Sequence, residues 1–330
     1  MDFVYLVASF TVILAGALLF TNAVEWIGHR LELGEGAVGS LLAAVGTAMP
    51  ETLIAVVALI GAAKSEDVAV GAIVGAPFLL ATLAMGLVGL VAYIYRGRRR
   101  QGIELRAHVP TLDRDLIFFL VFFGLALALG FGASEGIRTV AGIVFFCAYP
   151  VYAWRTIRRG GETQAEETLN PLIMERRPGR ENDPSIGIAV LQFLVGLGAM
   201  VGGAHLFVQE LLKVAEDVGV EAIVLSLILA PLATELPEKV NSFFWVRDGK
   251  DSLALGNITG AMVFQSTIPV GIGLIFTDWN LSGNAAVSVA LGLAGGVIAY
   301  WALRLRDRFE LPAILAWIAL YAAFIVVIAV

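Results

Sequence analysis

The chain is poor in the residues on which soluble enzymes and secreted domains depend. Its one cysteine, Cys147, excludes an intramolecular disulfide. Lying in an apolar run, it is expected to be a small packing residue. Only 3 histidines and 15% charged residues are spread over 330 positions. There is no His-Glu-x-x-His helix, no paired-Asp motif and no Ser/His pair on apolar spans, which removes the intramembrane proteases; no enzymatic activity is expected. The net charge of −6 comes without a basic face, so no nucleic-acid partner is expected. No basic start precedes the first apolar run, which is too long for a signal-peptide core, so cleavage is not expected.

What the chain has in excess is apolar sequence. Hydrophobic residues make up 58% and the mean hydropathy is +0.85, too apolar for a soluble domain. About 20 apolar residues cross a bilayer as a helix. Ten such runs can be laid out, at about 3–26, 35–63, 68–95, 114–132, 137–157, 185–212, 221–246, 252–276, 281–303 and 311–329. The expected class is therefore an all-α integral membrane protein with ten transmembrane helices. With the N-terminus outside, all of the 22 Lys and Arg except Lys64, Arg138, Lys213 and Lys239 fall in inner loops. That asymmetry sets the direction of threading, because one missed span would scramble it. Both termini are then extracytoplasmic, in a multi-pass protein of the plasma (cytoplasmic) membrane. Trp26, Trp154, Trp245, Trp279, Trp301 and Trp317 fall near span ends, where an aromatic belt is expected. The Arg98-Arg99-Arg100 run reads most simply as a topology anchor.

The chain also repeats itself. One constant offset carries Gly16-Ala17-x-Leu19-Phe20 onto Gly203-Ala204-x-Leu206-Phe207, and Thr47, Pro50 and Glu51 onto Thr234, Pro237 and Glu238. After a shortening by two residues, Gly71, Gly75 and Thr82 fall on Gly256, Gly260 and Thr267. Five spans per half is an odd number, so the second half enters the membrane from the opposite side. The expected organisation is a first inverted repeat at 1–157, a cytoplasmic linker at 158–184 and a second inverted repeat at 185–330. The linker, rich in Arg and Glu with Pro171, Pro178 and Pro184, is too short for a regulatory domain. Inverted repeats place a transport site where they meet, near the midplane.

Two carboxylates mark that place. Glu51 and Glu238 each follow a Thr-x-x-Pro run inside an apolar span. A charge at the bilayer centre costs at least ~2.5–3.5 kcal/mol on insertion scales, so it is retained where it has a partner or a function. Pro50 and Pro237 each remove a backbone donor and free a carbonyl one turn earlier. Spans three and eight are loosened by Gly71, Gly75 and Pro77 and by Gly256 and Gly260, so spans 2, 3, 7 and 8 are expected to be broken. Carboxylates, Thr oxygens and bare carbonyls are hard ligands, suited to Ca2+ or Na+ rather than zinc or copper. No cofactor is expected, and the partners are the lipid bilayer and inorganic cations, with no obligatory protein partner evident.

These residues resemble the repeats of the cation/calcium exchanger superfamily, which includes Na+/Ca2+ and H+/Ca2+ antiporters. Its Gly-Thr-Ser-Leu-Pro-Glu motif is matched by Gly46-Thr47-Ala48-Met49-Pro50-Glu51 and Ala233-Thr234-Glu235-Leu236-Pro237-Glu238. Its Gly-Asn-x-x-Gly-Ser-Asn-x-x-Asn motif is matched by residues 256–265, with 71–80 as a weaker copy. The resemblance implies Ca2+ ligation by Glu51, Glu238, Thr47 and Thr234, the threonines through backbone carbonyls. It implies secondary active exchange of Ca2+ for Na+ by alternating access. Exchange for H+ is the alternative, since four serines of the pattern are replaced by Ala48, Glu235, Ala76 and Ala261. Another divalent cation also suits oxygen ligands, and a channel fits broken inverted repeats less well. The residue closing the ion diamond is Leu80 in one half and Gln265 in the other. Glu235 and Gln265 are added as candidate ligands, Asn257 as a modulating residue, and Lys239 as a counter-cation for Glu235 at helical spacing. His205 reads as a satisfied core histidine.

Overall fold

In hydrocarbon every backbone donor and acceptor must find a partner within the protein, so long apolar runs become helices. The computed structural model describes residues 2–30, 43–60, 65–106, 109–159, 171–175, 185–219, 221–249, 251–306 and 308–329. The side chains of Thr47, Glu238 and Lys239 lie outside the described residues. The first half comprises α1 (Asp2–Arg30), α2 (Ala43–Ile60), α3 (Glu66–Leu79), a π-helical segment (Leu80–Ala84), α4 (Met85–Ile94), α5 (Val109–Leu129) and α6 (Glu135–Arg159). The second comprises α7 (Ile186–Val218), α8 (Ala222–Arg247), α9 (Asp251–Gln265), α10 (Ile268–Phe276), α11 (Gly283–Arg306) and α12 (Leu311–Ala329). Counting α3–π–α4 and α9–α10 as one crossing each, the described residues make ten crossings in two inverted five-helix repeats. Among the described residues seven segments are long and apolar enough to span a membrane; α2 and α8 contribute shorter apolar stretches, and α5 carries Asp113, Arg114 and Asp115 in its second turn.

Span three, Glu66–Ile94, is 94% buried and span eight, Ala254–Phe276, 78%, against 17% to 39% for the other long spans. These two crossings are the centre of the bundle. Span three packs on α8 and span eight on α2 and α8, as the inverted repeat requires. The approach of α3 to α8 depends on Gly71, where a Cβ would lie 2.8 Å from the Ile223 carbonyl oxygen. Ser226 of α8 completes that seam by donating to the Val68 carbonyl at 2.7 Å.

Helical breaks are unequal. The helix of span two runs through Pro50 and that of span seven through Pro231 and Pro237, so each proline removes one hydrogen bond without ending its helix. In span three the disturbance appears as the π segment, in which Thr82 donates to Phe78 O at 2.6 Å. In span eight the helix stops at Gln265 and restarts at Ile268.

The Arg-rich end of the bundle is built from polar ties. Arg99 is buried and grips Asp251, the first residue of α9, with two hydrogen bonds of 2.8 and 2.9 Å. It also donates to the carbonyls of Gly102, Glu104 and Val246. Arg99 thus serves as an internal brace. Residues 171–175 of the linker dock on α1 and α7. Asn22 accepts from Ile173 N at 3.0 Å, Gln192 accepts from Met174 N at 2.8 Å, and Gln192 donates to Asn22 at 2.9 Å. Leu172 is buried between Trp26 and Ala189.

Candidate cation site

The prolines set the local chemistry. Pro50 leaves the carbonyl of Gly46 without its helical donor, and Pro237 does the same for Ala233. Thr234 is fully buried and its hydroxyl donates to Ala230 O at 2.8 Å. What Thr234 still offers is oxygen lone pairs, of its hydroxyl and of its carbonyl.

Glu51 on α2 is 3% exposed, with both carboxylate oxygens shielded from solvent. One turn earlier, Ala48 packs with Tyr149, Tyr152, Val263 and Phe264. That cluster brings span two against the last turn of α9, one residue from Gln265. Across from it, the Gln265 amide nitrogen donates to Glu235 Oε1 on α8. Glu235 and Gln265 are 0% and 1% exposed, and Gln265 Oε1 has no hydrogen-bond partner among the described residues. Two carboxylates and a carboxamide oxygen are therefore buried where spans two, seven and eight converge. At the C-terminal end of α9, Ser266 and Thr267 cap the last turn: their backbone N–H groups donate to Met262 O and Phe264 O, and their hydroxyls to Val263 O.

Of the sequence candidates, Glu51, Thr234, Glu235 and Gln265 are buried on the three converging spans. Thr47 and Glu238 fall on α2 and α8 at their mirrored positions, but their side chains, like that of Lys239, lie outside the described residues. Asn257 is turned to α8, where it donates to Ser242 at 3.1 Å. His205 meets Gln209 at 3.1 Å, the satisfied histidine expected of it. Leu80, the mirror of Gln265, opens the π segment and carries no ligand atom in its side chain.

Sequence reasoning passed over Asp115. Its carboxylate is buried on α5 and accepts from Tyr152 at 2.6 Å, Thr259 at 2.9 Å and Arg114 at 3.1 Å. The available signal was an ionisable residue inside a span. It was obscured because Arg114 next to it counted as a loop residue.

A family model described as "Sodium/calcium exchanger protein" matches residues 1–158 and 188–330. Among curated proteins, the putative antiporter CaxA of Alkalimonas amylolytica is 22% identical over 303 residues, 92% of this chain and 89% of that protein. Among solved structures, an H+/Ca2+ exchanger, CAX, superposes over 98% of this chain and 81% of its own, with TM-score 0.75 and 19% identity. The sodium-calcium exchanger NCX_Mj superposes over 98% of both chains, with TM-score 0.62 and 19% identity. At such identities the structural likeness speaks for the fold.

Proposed function

Since the chain belongs to the sodium/calcium exchanger protein family, we propose that it is a secondary antiporter moving Ca2+ across the membrane in exchange for Na+. One observation carries the reading: Glu51 is buried, at 3% exposure, in the centre formed by spans two, three, seven and eight. Burying acids there is costly unless a cation offsets them. Glu51 and Glu238 supply the charge that replaces a divalent ion's hydration, Thr47 and Thr234 supply carbonyl oxygens, and Gln265 closes the set in the second half. Lys239 balances Glu235. Inverted repeats with one broken central span per half suit alternating access around a fixed site. The halves 1–157 and 185–330 are joined by 158–184 on the cytoplasmic side, with both termini outside, in the plasma (cytoplasmic) membrane; the basic residues support that orientation.

H+ is the second candidate for the counter-ion. It is favoured by Glu235, an acid where the family pattern has serine, bonded to Gln265. The deciding experiment is Ca2+ uptake into proteoliposomes under a Na+ gradient and, separately, a pH gradient, at matched voltage. Uptake driven by Na+ alone supports the first reading; uptake driven by the pH gradient alone replaces it with the second. Passive Ca2+ flux that neither gradient drives, without counterflow, would mean a channel.

A further inference from the structure

We infer that Asp115 is a positioning residue for the cation site: it acts through Thr259 to hold α9 in the rotation that presents Gln265 to Glu235. The inference rests on the antiporter reading and adds to it a residue outside both repeated motifs.

The geometry carries it. Asp115 collects donors from three helices: Arg114 beside it on α5, Tyr152 of α6 at 2.6 Å, and Thr259 of α9 at 2.9 Å. The Arg114 guanidinium also lies 5.1 Å over the Tyr152 ring, which keeps the carboxylate's counter-charge in place. Thr259 itself is fully buried. Six residues separate Thr259 from Gln265, about 9 Å along the helix and about 120° around it. Thr259 therefore grips α5 and α6 while Gln265 faces α8. A tie on the back of a helix fixes its rotation, and a rotation of α9 would swing the Gln265 amide away from Glu235. Asp251 and Asn257 also hold α9, but both lie further from Gln265, so among the described residues Thr259 is the inter-helix polar tie nearest to it.

Packing alone does not call for an acid here. Apolar residues of similar volume would join three helices at lower desolvation cost, whereas a charge-assisted hydrogen bond specifies one register. The first half supplies the control. The mirror of Thr259 is Val74 and the mirror of Gln265 is Leu80, both fully buried and apolar. Of the two mirrored spans, the one without the amide is also the one without this tie.

The test compares Thr259→Val, which keeps the shape and removes the donor, with Thr259→Ser, which keeps the donor. Asp115→Leu, which removes the acceptor at similar volume, is the second route to the same break. Each is read as Ca2+-dependent counterflow in proteoliposomes and as amide hydrogen exchange over residues 260–265. Thr259→Val and Asp115→Leu should raise the half-saturating Ca2+ about 10-fold while the maximal rate moves less than about 3-fold, with Thr259→Ser within about 2-fold of the parent. Exchange over 260–265 should quicken about 10-fold in the first two only. Thr259→Val behaving as the parent in both measurements overturns the proposal, and so does Thr259→Ser failing as badly as Thr259→Val. If the parent protein carries no Ca2+, the antiport reading falls, and the exchange measurement still decides whether the tie holds α9.

Discussion

Span three and span eight cross the same centre in opposite directions, and the protein secures them by different means. Span three is held by close approach: Gly71 against the Ile223 carbonyl, and Phe78 stacked on Tyr321 and edge-on to Phe324. Span eight is held by charge, with Arg99 on Asp251 at its start and Asp115 on Thr259 further in. The mirrored glycine, Gly256, has open space where a Cβ would go. Close packing needs no partner of particular chemistry, but a polar tie selects one register and one rotation. The span carrying Gln265 is the one so selected. Two halves built on one pattern thus keep the same path through the membrane while, among the described residues, the added pair Glu235 and Gln265 stands in the second.

The sharpest break in this comparison should come where the halves still agree. Glu51→Gln and Glu238→Gln should each abolish Ca2+ counterflow while the protein remains folded and extractable, since each removes half of the charge facing a divalent ion. Near-parental counterflow in either variant would remove the carboxylates from the site. Next come the starts of the two spans. Arg99→Ala strands the buried Asp251 and should cost about 3–5 kcal/mol, read as a lowered unfolding temperature in detergent. Ser65→Ala removes the N-cap of α3, a 3.3 Å bond to Val68 N, and should cost about 1 kcal/mol in the same assay. Similar losses from both changes would mean that the two starts are secured alike. The mirrored glycines should then separate: Gly71→Ala should cost about 1–3 kcal/mol by overpacking against α8. Gly256→Ala should be neutral or stabilise by up to about 1 kcal/mol, because nothing stands in the way. The smallest effect is expected in the linker. Deleting residues 161–167, which lie outside the described residues, should leave counterflow intact, whereas Leu172→Asp should lower stability by expelling the docked segment from Trp26 and Ala189.

Much of the architecture was legible because the signals are local. Ten apolar runs coincide with ten crossings, their ends agreeing to within several residues except the start expected at about 35, which lies outside the described residues. The repeat is visible down to one bond: Thr82 and Thr267 each donate to the carbonyl four residues earlier. Pro50 was read correctly as a lost donor, yet its helix continues, since neighbouring turns keep their own bonds. Arg99 was read with its two neighbours simply as a topology anchor, and the structure adds that it turns inward to an acid far along the chain. Glu235 was legible as an acid in a span, and the Lys239 side chain that helical spacing offers it lies outside the described residues; what the structure adds is Gln265, from another helix.

By itself the sequence determined that the chain lives in a bilayer, crosses it ten times, and carries one acid-bearing motif in each inverted half. Those properties follow from the thickness of hydrocarbon and the cost of a charge within it, both of which act on consecutive residues. The tertiary structure alone decided which helices meet and therefore which polar groups pair. Gln265 with Glu235, Thr259 with Asp115 and Arg99 with Asp251 stand 30, 144 and 152 residues apart. No helical or strand period spans such separations, and only packing in three dimensions brings those groups to bonding distance.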